Sequence, residues 1–74
     1  MSRKENIDAI LELVRNYPDG IGRKKAANLF SYEQGVTVRT ATEYLDVLEY
    51  AGKIEKFTPD PNAAWKRRIR VTQS

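Results

Sequence analysis

The chain has 74 residues, and its 13 Lys and Arg side chains outnumber its 10 Asp and Glu side chains to give a net charge of +3. A chain of this length forms one domain at most, and it buries only about 60% of the surface that its unfolded form exposes. Because the sequence contains no cysteine and no histidine, disulfides and thiolate zinc sites are excluded, and the commonest general base and metal ligand are absent.

The first predicted element is an amphipathic helix over residues 4–17. Its apolar side chains recur at the i, i+3, i+4, i+7 spacing of one helical face, at Ile7, Ile10, Leu11 and Val14. Pro18 disfavours continuation of a helix, and the pair Asp19-Gly20 is typical of a turn, so we expect the helix to end before this segment.

Ile21 is an isolated apolar residue between two glycines, which predicts a strand of a single rung. A second helix is predicted over residues 23–30. Its start is weakly specified, because Gly22 stands where a Ser or Thr cap is preferred. The next segment, SYEQGV, breaks the helical pattern, and its Gly35 suits a turn position with positive φ.

The third predicted helix covers residues 38–51. Thr37 is a good N-terminal cap, and Gly52 is a good C-terminal stop. At 100° per residue one side of this helix is apolar and is expected in the core, with Ala41, Tyr44, Leu45 and Leu48. The opposite side faces outward and carries Arg39, Glu43, Asp46 and Tyr50.

After Gly52 the spacing of apolar residues changes from 3.6 to 2, which predicts a hairpin over residues 54–71. The segments KIEKFT and WKRRIRV are predicted as its strands, and PDPNAA, with two prolines, as the loop between them. Lys66, Arg68 and Arg70 alternate with the other positions of the second strand and form a basic face. We expect Trp65 to pack partly beneath this hairpin.

This order of elements, together with the segment GVTVRTATEYLDVLEYAGKIEK, resembles the winged helix-turn-helix domains. The shared pattern is a small apolar turn residue, a cap, two leucines three residues apart, and a helix end followed by a strand. In this sequence the pattern falls on Val36, Thr37, Leu45, Leu48, Ala51, Gly52 and Ile54. The resemblance covers residues 4–71 and implies a single α+β domain of three helices and a C-terminal hairpin, the wing.

The sequence departs from the tightest helix-turn-helix units at one point. In those units a small residue lies four positions before the turn glycine, whereas here that position is Ser31 and the alanine pair is at Ala26 and Ala27. We therefore expect either a longer turn or an additional, distorted turn at the end of the second helix.

No motif of the sequence indicates an enzyme. The usual partners of an activated nucleophile are absent, and the i, i+3 carboxylate pairs of residues 43–49 are typical of a solvated helix face. The segment GIG lacks the spacing and the lysine of a phosphate-binding loop. We therefore expect no enzymatic activity, no cofactor, no metal and no small-molecule ligand.

The resemblance implies that the chain binds double-stranded DNA, as a small transcriptional regulator or a DNA-architectural protein. It places helix 38–51 in the major groove and the wing 54–71 at phosphates or the minor groove. Base contacts are assigned to Arg39, Thr42, Glu43 and Val38. Phosphate contacts are assigned to Lys24, Lys25, Thr37, Thr40, Lys66, Arg67, Arg68 and Arg70. Residues 53–74 carry six basic and two acidic side chains, which agrees with an anionic partner.

Other interpretations use the same residues differently. Arg39 can form an i, i+4 ion pair with Glu43, and a basic strand can serve only to prevent edge-to-edge pairing. Because Glu43 and Asp46 would repel phosphates, the domain can instead be a protein-interaction module that does not bind DNA. The aromatic side chains also allow RNA or single-stranded partners.

Two further expectations concern assembly and location. Leu13 and Tyr17 on the flank of the first helix form a candidate homodimer surface. The apolar runs are far shorter than the roughly 20 residues that cross a bilayer, and the N-terminus MSRKENIDAI lacks the apolar region of a signal peptide. We expect a soluble cytoplasmic protein without a membrane partner, associated with the nucleoid if its source is prokaryotic.

Overall fold

The computed structural model describes residues 2–60, 62–63 and 66–72. It contains three helices, α1 (Arg3–Arg15), α2 (Arg23–Gln34) and α3 (Val38–Tyr50), followed by strands β1 (Ile54–Phe57) and β2 (Arg68–Val71). The strands form an antiparallel pair. This α+β arrangement matches the predicted winged helix-turn-helix topology, while the prediction for Trp65 lies outside the described residues.

Helix α1 begins at a cap that the sequence analysis did not use. The Ser2 hydroxyl accepts a hydrogen bond from the Glu5 amide at 3.2 Å and satisfies one of the free N–H groups of the first turn. The helix ends at Arg15, two residues earlier than predicted, with Asn16 as its C-terminal cap. Pro18 explains the early end, because proline disfavours helical geometry at the residue before it, Tyr17.

Helix α2 extends four residues beyond the predicted end at Phe30. Gly35, at φ 70°, closes it, and the Gly35 amide donates to the Ser31 carbonyl at 2.9 Å. The Ser31 hydroxyl donates to the Val36 carbonyl, which fixes the chain as it leaves the helix. Ser31, at which the sequence departs from the tight helix-turn-helix pattern, therefore lies in an additional turn of regular helix. Only residues 35–37 separate α2 from α3.

Helix α3 confirms the predicted start and stop signals. The Thr37 hydroxyl accepts from the Thr40 amide at 3.1 Å. At the other end, the Lys53 amide donates to the Leu48 carbonyl at 2.8 Å and the Gly52 amide to the Glu49 carbonyl at 3.0 Å, with Gly52 at φ 76°. These paired bonds are the Schellman arrangement, which turns the chain sharply out of α3 into β1.

The core lies between the three helices and the inner face of the hairpin. Its largest fully buried side chains are Phe30, Ile10, Leu45, Ile54, Ile69 and Val14. Tyr44 is buried as predicted, with its ring edge-on to Phe30 at 6.2 Å between centroids. Leu13 also belongs to this core, so it is not available as an exposed dimer contact, whereas Tyr17 is 38% exposed. Each large apolar side chain so buried contributes about 1.5–3 kcal/mol.

The hairpin is anchored to the start of α2 by the predicted single rung. The Ile21 amide donates to the Ile69 carbonyl at 3.0 Å, and the Ile69 amide donates to the Ile21 carbonyl at 2.9 Å. Strand β2 begins at Arg68, three residues later than predicted. The reason lies at Lys66, whose amide donates to the Ala63 carbonyl at 2.9 Å in place of a bond to the neighbouring strand.

Candidate nucleic-acid interface

The outward face of α3 presents one highly exposed cation. Arg39 is 90% exposed at its side chain, and its Nε lies 3.6 Å from Glu43 Oε1 one turn further along. Val38, at the start of the helix, is partly exposed. The i, i+4 pair that was one interpretation of Arg39 is thus present, but such an exposed pair contributes only about 0.3–0.5 kcal/mol. A base or phosphate can displace Glu43 from Arg39 at little cost.

Three threonine hydroxyls at the start of α3 are already engaged within the chain. Thr37 donates to the Thr40 hydroxyl at 2.9 Å in addition to capping the helix, and Thr42 donates to the Val38 carbonyl at 2.9 Å. Thr40 therefore keeps its own proton for an external acceptor. The predicted phosphate contact of Thr37 and the base contact of Thr42 require these internal bonds to be shared or exchanged.

The acidic half of α3 is paired with cations from other elements. Arg23, the first residue of α2, forms an ion pair with Asp46, and its Nη1 lies 3.5 Å from Glu49 Oε1. Lys56 of β1 places Nζ 3.4 Å from the same Glu49 oxygen. This network could not be predicted from the sequence, because no local pattern joins Arg23 or Lys56 to the carboxylates of α3.

The remaining basic residues of the predicted phosphate set lie at the surface. Lys24, Lys25, Lys66, Arg67 and Arg68 are all exposed. Within the described part of the chain, none of these five forms an ion pair with a carboxylate. They can therefore meet phosphates without first breaking an internal pair in that part of the structure.

Arg70 differs from the other basic residues of the wing. Its Nη2 lies 3.3 Å from Glu55 Oε2 on the neighbouring strand, and its guanidinium stacks 4.2 Å from the centre of the Phe57 ring. Its side chain is 32% exposed. The prediction that Arg70 binds phosphate stays a prediction, and its guanidinium has internal contacts that it would have to keep or exchange.

Arg23 and the wing together form a basic cleft that sequence analysis did not identify. It encloses about 210 Å³ and is lined by Arg23, Lys56, Arg67, Arg68 and Ile69. Arg67 and Arg68 were predicted as phosphate contacts, whereas Lys56 was not. Arg39, Glu43 and Asp46 are separated by four and three positions, so they share one helix face, and the Arg23–Asp46 pair connects that face to the cleft.

Comparison of the chain with known protein families, curated proteins and solved structures finds no match. None of the helices over the described ranges has the length and apolar character to cross a membrane. In the same ranges, no group of three or more acidic side chains is arranged to hold a metal ion.

Proposed function

We propose that the chain binds double-stranded DNA, with α3 in the major groove and the wing along the adjacent phosphates. A helix with its side chains is about 10–12 Å wide, which fits the major groove of B-DNA. In this arrangement Arg39 is the side chain best suited to a bidentate contact with guanine, and Val38, Thr42 and Glu43 lie beside it on the same part of α3.

The observation that carries the proposal is the ion-pair network at Asp46 and Glu49. An unpaired acidic face on α3 would oppose entry into a phosphate-lined groove, but Arg23 and Lys56 already neutralise these two carboxylates. The exposed cations of residues 66–68 then add an excess of positive charge on the wing. This combination favours a DNA interface over an acidic protein-binding face.

The proposal is tested by fluorescence anisotropy on random-sequence duplexes over a series of salt concentrations. With about four to six phosphate contacts, log Kd should change linearly with log salt, with a slope magnitude of about 4 to 5. Absence of binding by the folded protein at low salt would refute it. Selection from random duplexes then separates a regulator, which enriches a motif, from an architectural protein, which does not.

A second candidate function, protein interaction without DNA, is favoured by two exposed aromatic side chains. Tyr50 at the end of α3 is 96% exposed and Tyr32 on α2 is 90% exposed. Tyrosine is enriched at protein interfaces. Under this alternative the substitution Tyr50→Ser abolishes partner binding, whereas under the DNA proposal it leaves duplex affinity within about twofold, as expected for an exposed residue without a phosphate contact.

A further inference from the structure

The basic cleft is built from three separate parts of the chain. Arg23 comes from the first turn of α2, Lys56 from β1, Arg67 from the residue before β2, and Arg68 from the start of β2. The reciprocal Ile21–Ile69 hydrogen bonds hold the start of α2 against β2, and the strand register sets Lys56 directly opposite Ile69. The backbone therefore brings the segments that carry the four cations to one cleft. Lys56 and Arg68 belong to opposite faces of the hairpin, so their side chains reach the cleft from two sides.

The four cations of the cleft repel one another, so neighbouring carboxylates must compensate part of their charge. Glu49 lies between two of the cations, with its Oε1 at 3.5 Å from Arg23 and 3.4 Å from Lys56, and Asp46 pairs with Arg23. These two carboxylates leave the four cations with two uncompensated positive charges. Arg67 and Arg68 have no acidic partner among the described residues, so the excess lies on their side of the cleft.

The size of the cleft limits its ligand. Its volume of about 210 Å³ is below the range of about 300–1,000 Å³ that holds drug-sized molecules. A phosphate group carries a charge of about −1.5 to −2 near neutral pH as a monoester and offers several acceptor oxygens. Arginine guanidinium groups bind such oxygens through paired, charge-assisted hydrogen bonds. The charge of the lining residues and the size of the cleft thus suit a single phosphate group or two adjacent phosphodiesters.

We propose that the cleft between Arg23, Lys56, Arg67 and Arg68 is a discrete binding site for a phosphate group, with Glu49 positioning Arg23 and Lys56. The phosphate can belong to a nucleic-acid backbone, in which case the cleft rests on the proposed function and specifies one of its contacts. It can equally belong to a free phosphorylated molecule, in which case the cleft is a ligand site in its own right.

The test is a titration of the ¹⁵N-labelled protein with inorganic pyrophosphate, followed by amide NMR shifts, with sodium chloride at matched ionic strength as the reference. We expect saturable shifts at the amides of residues 22–23, 56 and 67–69, and no such pattern with chloride. The double variant Arg67→Gln/Arg68→Gln should weaken binding at least about tenfold, as expected for the loss of charge-assisted hydrogen bonds. Lys56→Gln provides a second variant if the double variant does not fold.

The matched control is Arg3→Gln/Lys4→Gln, which removes the same charge from the exposed start of α1. This control should retain pyrophosphate binding within about twofold, because long-range charge effects are screened in salt. Equal losses in the two double variants, or shifts spread over all basic residues, would overturn the discrete site. Tighter saturation of the cleft by a glutamate-rich peptide of equal charge would overturn its assignment to phosphate.

A titration with a short DNA duplex separates the two sources of phosphate. It also distinguishes failure of the cleft proposal from failure of the DNA-binding proposal. If a short duplex displaces pyrophosphate and shifts the same amides, the cleft binds the nucleic-acid backbone. If pyrophosphate saturates the cleft and no duplex binds, the site stands as one for a free phosphorylated molecule, and the proposed DNA function fails. If a duplex binds and the cleft amides respond to neither ligand, the cleft proposal fails alone.

Discussion

Arg23 and Asp46 form an ion pair that joins the first residue of α2 to the outward face of α3. A cation at a helix N-terminus is opposed by the helix dipole, at a cost of a few tenths of a kcal/mol. For the three basic residues at 23–25, this cost indicates a compensating partner, either a bound anion or a carboxylate of the chain. The structure gives Arg23 an internal reason, because Asp46 and Glu49 both face it. Lys24 and Lys25 lack such partners among the described residues, so the argument for a ligand now applies to them.

The first prediction concerns the charge of Asp46. Asp46→Asn should strengthen duplex binding about two- to fivefold, because it removes a negative charge beside the groove and releases Arg23 toward phosphate. Stability should fall by less than about 1 kcal/mol, since the Asp46 side chain is 64% exposed. Anisotropy titration measures the first effect and urea denaturation the second. Asp8→Asn on exposed α1 is the matched control, and weaker duplex binding by Asp46→Asn would contradict the prediction.

The second prediction separates base contacts from phosphate contacts. Arg39→Ala should reduce the preference for the selected sequence over a random one, at a cost of about 1–3 kcal/mol on the preferred site only. Arg68→Ala should weaken binding to all sequences alike and lower the magnitude of the salt slope by about one. Parallel titrations on both duplexes measure these effects. If the two variants behave identically, the division of roles between α3 and the wing is wrong.

The boundaries that the sequence predicted well are those set by local chemistry. Thr37 and Gly52 define α3 through hydrogen bonds that each involve residues at most five positions away. The predicted end of α2 at residue 30 was wrong, because the following residues give no local signal that the helix continues. Residues 31–34 carry no apolar periodicity, so nothing in the sequence extended the helix to Gly35, although Gly35 then closes it with a left-handed cap.

The features that sequence reasoning missed depend on contacts between distant segments. Arg23 and Asp46 are 23 positions apart, and Glu49 meets Lys56 across the Schellman turn at Gly52 that joins α3 to β1. Arg70 appeared equivalent to Arg68 from strand alternation. Its contacts with Glu55 and Phe57 follow from the register of the hairpin. Alternation of residues along one strand predicts the face of each side chain but not its partner on the other strand.

The third prediction compares two glycines with positive φ. Gly35→Ala should destabilise the fold by about 1–2 kcal/mol, because left-handed geometry is strained for alanine but no atom lies within 4 Å of the added methyl. Gly20→Ala should cost at least about 1 kcal/mol more, since its methyl would lie 2.6 Å from Phe57 Cε1 and 3.1 Å from Arg68 Cβ. Urea denaturation measures both. Equal losses would show that Phe57 moves aside freely.

Gly22 provides a control at which substitution should raise the stability of the protein, whereas the two substitutions above should lower it. It caps α2 at φ −59° without a side-chain hydrogen bond, and an added Cβ would meet only Lys25 Cβ, at 3.8 Å. Gly22→Ser should therefore stabilise the protein by a few tenths of a kcal/mol, because serine can accept a hydrogen bond from the first turn. A loss of stability in this variant would mean that the backbone at Gly22 does not accommodate a side chain at the start of α2.

The fourth prediction follows from the different surroundings of the two wing arginines. Arg70→Gln removes both the ion pair with Glu55 and the stacking on Phe57, so it should lower the free energy of unfolding by about 0.5–1.5 kcal/mol. Arg68→Gln removes an exposed cation opposite Phe57 in the strand register and should cost less than about 0.5 kcal/mol. In duplex binding the order should reverse, with Arg68→Gln the more damaging, because Arg68 has no acidic partner among the described residues. Urea denaturation ranks the two variants by their loss of stability, and anisotropy ranks them by their loss of duplex affinity. Equal stability losses would show that the internal contacts of Arg70 contribute little, and a larger binding loss for Arg70→Gln would place Arg70 at the phosphate.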